Sequence, residues 1–509
     1  MPVPKHAVPA PVWRRIAVLC ATTIVLGTFV ALSVSESASE HHDARSASAT
    51  SGPGGSRSAG SPGSTTVNPP PVTVEPGSTV VDGLLTFRGN ATRTLYGRGP
   101  VPQNPTILWS YPDKPMCSQS HDLAGFAEWC GMGWTGQPAV WEREGRTLVA
   151  FGAYDRAVHL VDAADGSNVV PPFVTGDLIK GSVTVDPDGY PLLYTGSRDD
   201  YFRVLSFDGT AFAELWKLNA YDVSPTKWNN DWDGSALVRD DYLFEGGENS
   251  RFHVVKLNRS TGADGHVSVE PELVFHAAGW DDQLIKDIGH DHVSIESSVS
   301  MFNNVVYFAN SGGLVEGWDV AGLADGAEPT RVFRFWTGDD TDASVAIDDQ
   351  GMLYVASEYE RGTARSKAVG QIMKLDPSKP DDPLVWSVDD QEAAPGGVWA
   401  TPALDRDMVY VGTNGGRLLG IDRMTGAIRW TKRLDGPLWA SPVVVDNVLL
   451  QGDCSGVLHA YDVSDTSTNP PELWKLQLPK GCIEATPAVW KGRIYLGTRS
   501  GKFFAIGDK

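Results

Sequence analysis

Most of this 509-residue sequence consists of one motif that recurs about every 40 to 50 residues. Each copy begins with a strand of small residues, continues through a strand that ends in Gly and a strand that ends in Asp, and closes with a strand that contains Trp. The clearest copy begins at Trp399 and reaches Trp430, and the next begins at Trp439. Four strands with this period are typical of a β-propeller blade. The repeat therefore predicts an all-β fold in which successive copies stack around an axis.

Eight copies of the motif align at a Ser or Thr in their first strand, and Gln137 takes that position in the first copy. The last copy, residues 484–506, contains no Trp strand, and residues 107–111 match the strand that it lacks. We therefore predict an eight-bladed propeller over residues 81–509, closed by a blade that residues 107–111 and 484–506 share.

The composition restricts the kind of partner. The chain has 42 Lys or Arg and 63 Asp or Glu, which gives a formal net charge of −21. Binding to a phosphate backbone requires clustered basic residues, and the sequence contains no such cluster, so a nucleic-acid partner is excluded.

The N-terminal region predicts a membrane anchor. Residues 16–34 form an uncharged apolar run that is long enough to cross a bilayer as a helix, and Arg14 and Arg15 precede it. Basic residues before the run and acidic residues after it predict a cytoplasmic tail at residues 1–15 and an extracytoplasmic C-terminal domain. Residues 35–80 are rich in Ser, Gly and Pro and predict a disordered linker. We therefore expect a single-pass protein of the cell membrane.

Four of the five cysteines fall within the predicted propeller, in loops that open on one face. An even number of cysteines outside the cytoplasm indicates disulfides. Their positions predict the bridges Cys117–Cys130 and Cys454–Cys482, which would stabilise the rim of that face.

The repeat resembles that of a known family. Residues 409–430, with Tyr-Val-Gly-Thr, Gly-Ile-Asp, Thr-Gly and Trp, are similar to the repeat of the PQQ-like (pyrroloquinoline quinone) propellers and their tryptophan-docking motif. Residues 85–90 with Arg93 and Gly97 resemble the segment that precedes the first repeat in such proteins. The chain thus resembles a bacterial, membrane-anchored member of the PQQ-like propeller family. The resemblance implies docking between blades by Trp109, Trp216, Trp386, Trp430 and Trp474.

This family includes quinone-dependent dehydrogenases and non-catalytic scaffolds, such as the lipoprotein of the outer-membrane barrel-assembly machinery. The dehydrogenases hold PQQ between a Trp and a disulfide of adjacent cysteines, beside a Ca²⁺ ion. No two cysteines are adjacent in this chain, and the closest pair is Cys117 and Cys130. The sequence therefore favours a protein that is not an enzyme, and we assign no catalytic residue. We also assign no cofactor, although PQQ and Ca²⁺ are the candidates that the resemblance implies.

The residue two positions before the aligned Ser or Thr is expected to face the axis in every blade. With Thr135, these positions form a candidate ligand-binding ring of Lys180, Asp233, Glu296, Asp342, Trp399, Trp439 and Glu484. Carboxylates that converge repel one another unless Lys180, water or a cation compensates their charge. Because hard oxygen ligands favour Ca²⁺, Asp233, Glu296 and Asp342 are its candidate ligands. Trp399 and Trp439 are the indoles placed to stack on a planar ligand. The alternative is a wet channel that tolerates polar side chains without binding a ligand.

We predict an extracytoplasmic, membrane-anchored propeller that acts by binding, as a scaffold in the cell envelope or as a receptor. Its partner would be the membrane through residues 16–34, together with an envelope protein or a small polar or glycan ligand. The alternative is a PQQ-dependent, Ca²⁺-requiring dehydrogenase that passes electrons to a membrane acceptor. A third class, glycan processing, would use the paired carboxylates of Asp233 and Glu296. His290 and His292 lie in a polar loop of the same face, and no metal is assigned to them.

Overall fold

The computed structural model describes residues 80–122, 125–134, 136–391, 396–479 and 481–509. Eight separate sheets, each with a four-strand antiparallel core, confirm the all-β, eight-bladed propeller. The predicted cytoplasmic tail, the membrane anchor and the linker as far as residue 79 lie outside the described residues. Within the part of the chain that is described, no helix has the length and apolar character needed to cross a membrane.

The first four blades follow one another along the chain, and the strands of each blade run in order from the axis outward. Blade 1 contains Ala139–Arg143, Arg146–Gly152, Ala157–Asp162 and Phe173–Val174. Blade 2 contains Thr184–Val185, Leu192–Thr195, Tyr201–Ser206 and Ala213–Asn219. Blade 3 contains Leu237–Arg239, Tyr242–Gly247, Arg251–Lys256 and Glu272–Ala278. Blade 4 contains Ser300–Phe302, Val305–Ala309, Leu314–Asp319 and Thr330–Trp336.

The last four blades follow the same order. Blade 5 contains Ala346–Ile347, Leu353–Ala356, Ile372–Leu375 and Leu384–Val388. Blade 6 contains Ala403–Asp405, Met408–Gly412, Arg417–Asp422 and Ile428–Arg433. Blade 7 contains Val443–Val445, Val448–Gly452, Val457–Asp462 and Glu472–Gln477. Blade 8 contains Ala488–Trp490, Arg493–Gly497 and Phe503–Gly507, and Thr106–Tyr111 pairs antiparallel with Phe503–Gly507 as its outermost strand.

The remaining elements are short. Three two-stranded sheets pair Cys117–Asp122 with Gly125–Cys130, Ser260–Thr261 with Val267–Ser268, and Glu358–Tyr359 with Gly396–Gly397. Single strand pairs also place Gly83–Leu84 on blade 1 and Gly97–Arg98 on blade 8. The helices are α1 (Asp282–Ile288), α2 (Ala364–Val369) and the 3₁₀ turns Ala220–Asp222 and Leu323–Asp325.

The core lies between neighbouring blades, because each sheet is covered on both faces. All residues of Met408–Gly412 are buried, which explains an apolar run without polar alternation. Trp386 shows how blades dock. Its indole lies over Gly426 of the next blade, where a Cβ atom would come within 2.9 Å of the ring, and its Nε1 donates to the Arg423 carbonyl at 3.1 Å. A glycine is therefore required in the Thr-Gly turn of the motif.

The aligned Ser and Thr residues form a belt around the axis. The backbone N–H at this position in one blade donates to the hydroxyl of the next blade, at 2.8 to 3.3 Å. These bonds run from Gln137 to Ser182, Ser235 to Ser298, Ser298 to Ser344, Ser344 to Thr401, Thr401 to Ser441 and Ser441 to Thr486. The repeated hydroxyl thus satisfies an inner-strand donor that the blade itself cannot pair.

The lead-in segment, residues 82–98, lies across the axis on the side of the belt that faces the turns between first and second strands. It hydrogen-bonds to the inner strands of successive blades. Its carbonyls at Leu85, Ala91 and Thr92 accept from Val185, Met301 and Ile347 of blades 2, 4 and 5. The side chains of Arg88 and Arg93 are fully buried there. The lead-in therefore closes one end of the axial channel.

Both predicted disulfides are present. Cys117–Cys130 joins the two strands of the hairpin before blade 1, and Cys454–Cys482 joins a loop of blade 7 to the connection into blade 8. The ring is also closed by Trp109 of the outermost strand of blade 8, whose Nε1 donates to the Ala163 carbonyl of blade 1 at 3.1 Å.

Candidate axial binding site

The inner strands begin on the face opposite the lead-in, and the predicted ring residues lie there, two positions before the belt. Side chains from the inner strands and from the loops between second and third strands converge around the axis. The side chains of Lys180, Asp340 and Arg361 are 15%, 14% and 16% exposed, so solvent reaches this space. Because the lead-in closes the other end, the space is a blind funnel that opens on the loop face.

The first acidic triad consists of Asp233, Glu248 and Glu296, whose carboxylate oxygens lie within 4.8 Å of one another. Lys180 pairs with Asp233, and its Nζ atom lies 3.5 Å from Oε1 of Glu248. Glu248 also accepts from Nδ2 of Asn229 at 2.6 Å, and Glu296 accepts from Oγ of Ser294 at 2.8 Å. An ammonium group therefore already neutralises part of this triad.

The second acidic triad consists of Asp340, Asp342 and Glu358, again with carboxylate oxygens within 4.8 Å of one another. Arg361 pairs with Oδ2 of Asp340 at 3.0 Å and also donates to the Ser311 carbonyl. The Oδ1 atoms of Asp340 and Asp342 are buried, and no N–H or hydroxyl group of the described residues donates to them. The two carboxyl groups instead hydrogen-bond to each other, which requires a shared proton.

The two triads make this end of the axis strongly anionic. Burial, and then the neighbouring carboxylates, raise the pKa of Glu248 and of Asp342 well above its usual value. Burial also raises the pKa of Glu358 in the same direction, and the Trp399 side chain counteracts this in part. Burial alone would lower the pKa of Lys180, but the Asp233 and Glu248 carboxylates raise it well above its usual value. Without a bound cation, these shifts favour the protonated form of the carboxyl groups.

Three indoles line the funnel next to the second acidic triad. The ring centroids of Trp399 and Trp439 are 4.8 Å apart, with planes inclined by 31°, and those of Trp134 and Trp399 are 5.9 Å apart. Next to them, Glu484 accepts from Nη1 of Arg499 at 3.1 Å. The predicted ring residues therefore surround one funnel, whereas Thr135 lies outside the described residues.

The rim of the funnel combines the hairpin and two loops. The carbonyl of His121 in the hairpin accepts from Arg198 at 3.0 Å, and Arg198 also pairs with Asp231 at 2.5 Å beside the first triad. Across the rim, the ring centroids of Trp228 and His292 are 3.5 Å apart, and burial lowers the pKa of His292 to about 4. Aromatic and charged groups thus surround the opening.

The structure separates the three residues that the sequence predicted as Ca²⁺ ligands. Asp233 and Glu296 belong to the first triad, whereas Asp342 belongs to the second. Asp231 and Asp340 were not predicted from the sequence, although each lies two positions before a ring residue and on the same side of an extended segment. Glu248 and Glu358 come from loops between second and third strands, and no sequence pattern placed them at the axis.

The pKa values of two of these carboxyl groups predict an unusual pH dependence. Burial raises the pKa of Asp231 and Asp340 to about 6, from 3.8. Between these values the folded protein holds more protons than the unfolded chain, so these groups destabilise the fold progressively as the pH rises from about 4 to 6. We expect the free energy of unfolding, measured without added cation, to be on the order of 1–3 kcal/mol higher at pH 5 than at pH 7.

Urea titrations of the wild type and of Asp340→Asn at both pH values test this expectation, because the variant should show a smaller difference. The paired carboxyl of Asp281, whose pKa is lowered to about 2, loses its contribution only below about pH 4 and does not interfere. Equal stability of the wild type at the two pH values would contradict the prediction.

PQQ does not fit this funnel as it fits the dehydrogenases. A planar ring between two indoles requires a gap of about 7 Å, twice the contact distance of about 3.5 Å, whereas Trp399 and Trp439 contact one another. Neither disulfide joins adjacent cysteines. PQQ is anionic, and the funnel presents two acidic triads. Ca²⁺ is compatible with the type of ligand atom in either triad, and Asp340, Asp342 and Glu358 would hold it without displacing Lys180.

A family model described as outer membrane protein assembly factor BamB matches residues 368–508. The outer membrane protein assembly factor BamB of Shewanella oneidensis is 30% identical over 105 residues, which are 20% of this chain and 26% of that protein. The match thus spans about a quarter of the curated relative.

Solved structures share the fold at low identity. The quinohemoprotein alcohol dehydrogenase of Comamonas testosteroni superposes with a TM-score of 0.53 and 14% identity, over 84% of this chain and 80% of that chain. Sqt1 of Saccharomyces cerevisiae superposes with a TM-score of 0.55 and 9% identity, over 79% of this chain and 99% of that chain. With the repeat and the eight blades, the match of residues 368–508 supports a PQQ-like β-propeller family for this chain.

Proposed function

We propose that this protein is a binding protein of the cell envelope and that its axial funnel binds a cationic ligand. The observation that carries the proposal is the convergence of two acidic triads in one blind funnel, where no N–H or hydroxyl group of the described residues donates to Oδ1 of Asp340 or of Asp342. A bound cation would offset the repulsion between these carboxylates, which the fold otherwise relieves by protonation. The match of residues 368–508 to an envelope assembly factor supports a binding role in the envelope.

The lack of a disulfide between adjacent cysteines among the described residues, together with the negative charge of the funnel, favours this proposal over the quinone-dependent dehydrogenase. A scaffold role is compatible with it, because the hairpin and loops of the rim are available to a partner protein while the funnel holds a small ligand. In the envelope, the predicted anchor at residues 16–34 would tether the protein to the membrane.

We expect Ca²⁺ or an organic cation, but not PQQ, to stabilise the full-length chain. Thermal unfolding and tryptophan fluorescence would be recorded with each cation, and with PQQ in the presence and absence of Ca²⁺. A cation that occupies the funnel at 100 times its Kd should add about 2.7 kcal/mol to the free energy of unfolding. Asp342→Asn should reduce this gain, because it removes one carboxylate of the second triad.

Asp291→Asn is the matched control, since Asp291 is exposed on the same face. The control should leave the cation response unchanged. Saturable, calcium-dependent quenching by PQQ would overturn the proposal and favour the dehydrogenase.

A further inference from the structure

The second acidic triad is built to accept hydrogen bonds from a ligand. Asp340, Asp342 and Glu358 face one another, and Glu358 is only 4% exposed. Arg361 reaches Oδ2 of Asp340, but no N–H or hydroxyl group of the described residues donates to the Oδ1 atoms of Asp340 and Asp342, which lie in carboxyl groups that hydrogen-bond to each other. Carboxylates this close are costly to ionise together, so the site favours a ligand that brings N–H groups and positive charge together.

The first acidic triad shows that a cluster of three carboxylates in this protein binds an ammonium group. There the Lys180 ammonium pairs with Asp233 and lies 3.5 Å from Oε1 of Glu248. A primary ammonium carries three N–H donors, which can serve three carboxylates at once. The only cation that pairs with the second triad in the described residues is Arg361, which lies at one side of it and contacts Asp340.

The surroundings of the second triad favour an organic cation over a metal ion. The Trp399 side chain interacts with Glu358, and Trp439 and Trp134 extend the indole surface away from the triad. Indole faces attract alkylammonium groups and cover their methylene chains, but they supply no oxygen ligand. Ca²⁺ takes 6–8 oxygen ligands, and three carboxylates next to indoles provide only part of such a shell.

We infer that the second acidic triad binds the primary alkylammonium end of a small molecule, whose alkyl chain lies along Trp399 and Trp439. The inference rests on the proposed function, because it names the class of ligand for the same funnel. The ammonium would donate to Asp340, Asp342 and Glu358, as Lys180 does in the first triad.

The test is isothermal titration of the full-length chain at pH 7.5 with 1,4-diaminobutane, and separately with 1,4-butanediol and with Ca²⁺. We expect saturable binding of the diamine and none of the diol, which has the same chain without charge. Asp342→Asn should weaken diamine binding by about tenfold or more, because it replaces a charged acceptor with a neutral amide. Glu358→Gln gives a second reading if Asp342→Asn does not fold, and Asp291→Asn should bind like the wild type.

The outcomes separate the inference from the proposed function. Diamine binding that both triad variants retain would place the diamine elsewhere and overturn the inference. Binding of Ca²⁺ but not of the diamine, lost in Asp342→Asn, would overturn the inference and leave a cation-binding protein. Absence of binding by either cation would overturn both.

Discussion

Replacing Arg93 by Met should lower the free energy of unfolding by roughly 3–5 kcal/mol, among the largest losses that a single substitution can cause in this protein. Arg93 is fully buried in the lead-in segment and donates to the carbonyls of Val299, Ser235 and Phe87 at 2.5 to 3.0 Å. Met has a similar length but no donor, so these buried carbonyls would remain unsatisfied.

The loss should extend to the whole propeller because of where Arg93 lies. Val299 and Ser235 belong to the inner segments of blades 4 and 3, so the guanidinium connects neighbouring blades through the lead-in. Burial lowers the pKa of Arg93 to about 9, which still leaves it charged at neutral pH. Removing the guanidinium therefore eliminates these hydrogen bonds and also a positive charge near the buried Glu245.

Urea titration followed by tryptophan fluorescence measures this loss. Arg98→Met is the matched control, because Arg98 belongs to the same segment, is 54% exposed and pairs with Asp82 at the surface. The control should cost less than about 1 kcal/mol. Equal and small effects of the two substitutions would show that Arg93 does not stabilise the propeller.

Replacing Lys180 by Ala should also destabilise the fold by roughly 3–5 kcal/mol, because it leaves buried carboxylates without their cation. The side chains of Asp233 and Glu248 are 0% and 4% exposed, so water cannot replace the ammonium fully. Protonation of Glu248, whose pKa is raised well above its usual value, would recover part of the loss. The loss should therefore be smaller at pH 5 than at pH 7.

An external amine should rescue this variant, since truncation at position 180 removes the side chain that brought the ammonium into the first triad. At concentrations above its Kd, n-butylamine should raise the free energy of unfolding of Lys180→Ala by about 1.4 kcal/mol for each tenfold rise in concentration. Any increase that the wild type shows at the same concentration is subtracted. Lys491→Ala is the control, because Lys491 is 43% exposed and pairs with Glu142. Equal gains in Lys180→Ala and the wild type would contradict an ammonium site in the first triad.

The fold could be predicted because its information is local and repeated. The Ser or Thr of the first strand recurs in nearly every copy, and the structure uses it as the hydroxyl belt between blades. The match of residues 107–111 to the outer strands of other copies correctly identified the strand that closes blade 8. By contrast, nothing in residues 85–97 indicated that the lead-in would hydrogen-bond to successive inner strands, because its backbone groups, and the carbonyls that accept from Arg88 and Arg93, carry no sequence signal.

The site was predicted in part for the same reason. A fixed offset from the aligned Ser or Thr placed Lys180, Asp233 and Glu296 at the axis, and the structure brings them into contact. Glu248 and Glu358 were not placed in the axial ring because they lie in connections between blade strands, where conformation depends on tertiary contacts and not on the repeat. The sequence also could not show that Trp399 and Trp439 touch, since a difference of a few ångströms between neighbouring blades decides whether a ring fits between them.

The repeat by itself determined the propeller class, the number of blades and the positions that face the axis, because strand alternation and turn residues act over a few neighbouring positions. Only the tertiary structure decided that the lead-in closes one end of the channel, that Lys180 pairs with one acidic triad, and that Arg361 pairs with the other at Asp340. These features arise where side chains from different blades meet. Their charges and distances depend on the closed ring as a whole, which no single repeat encodes.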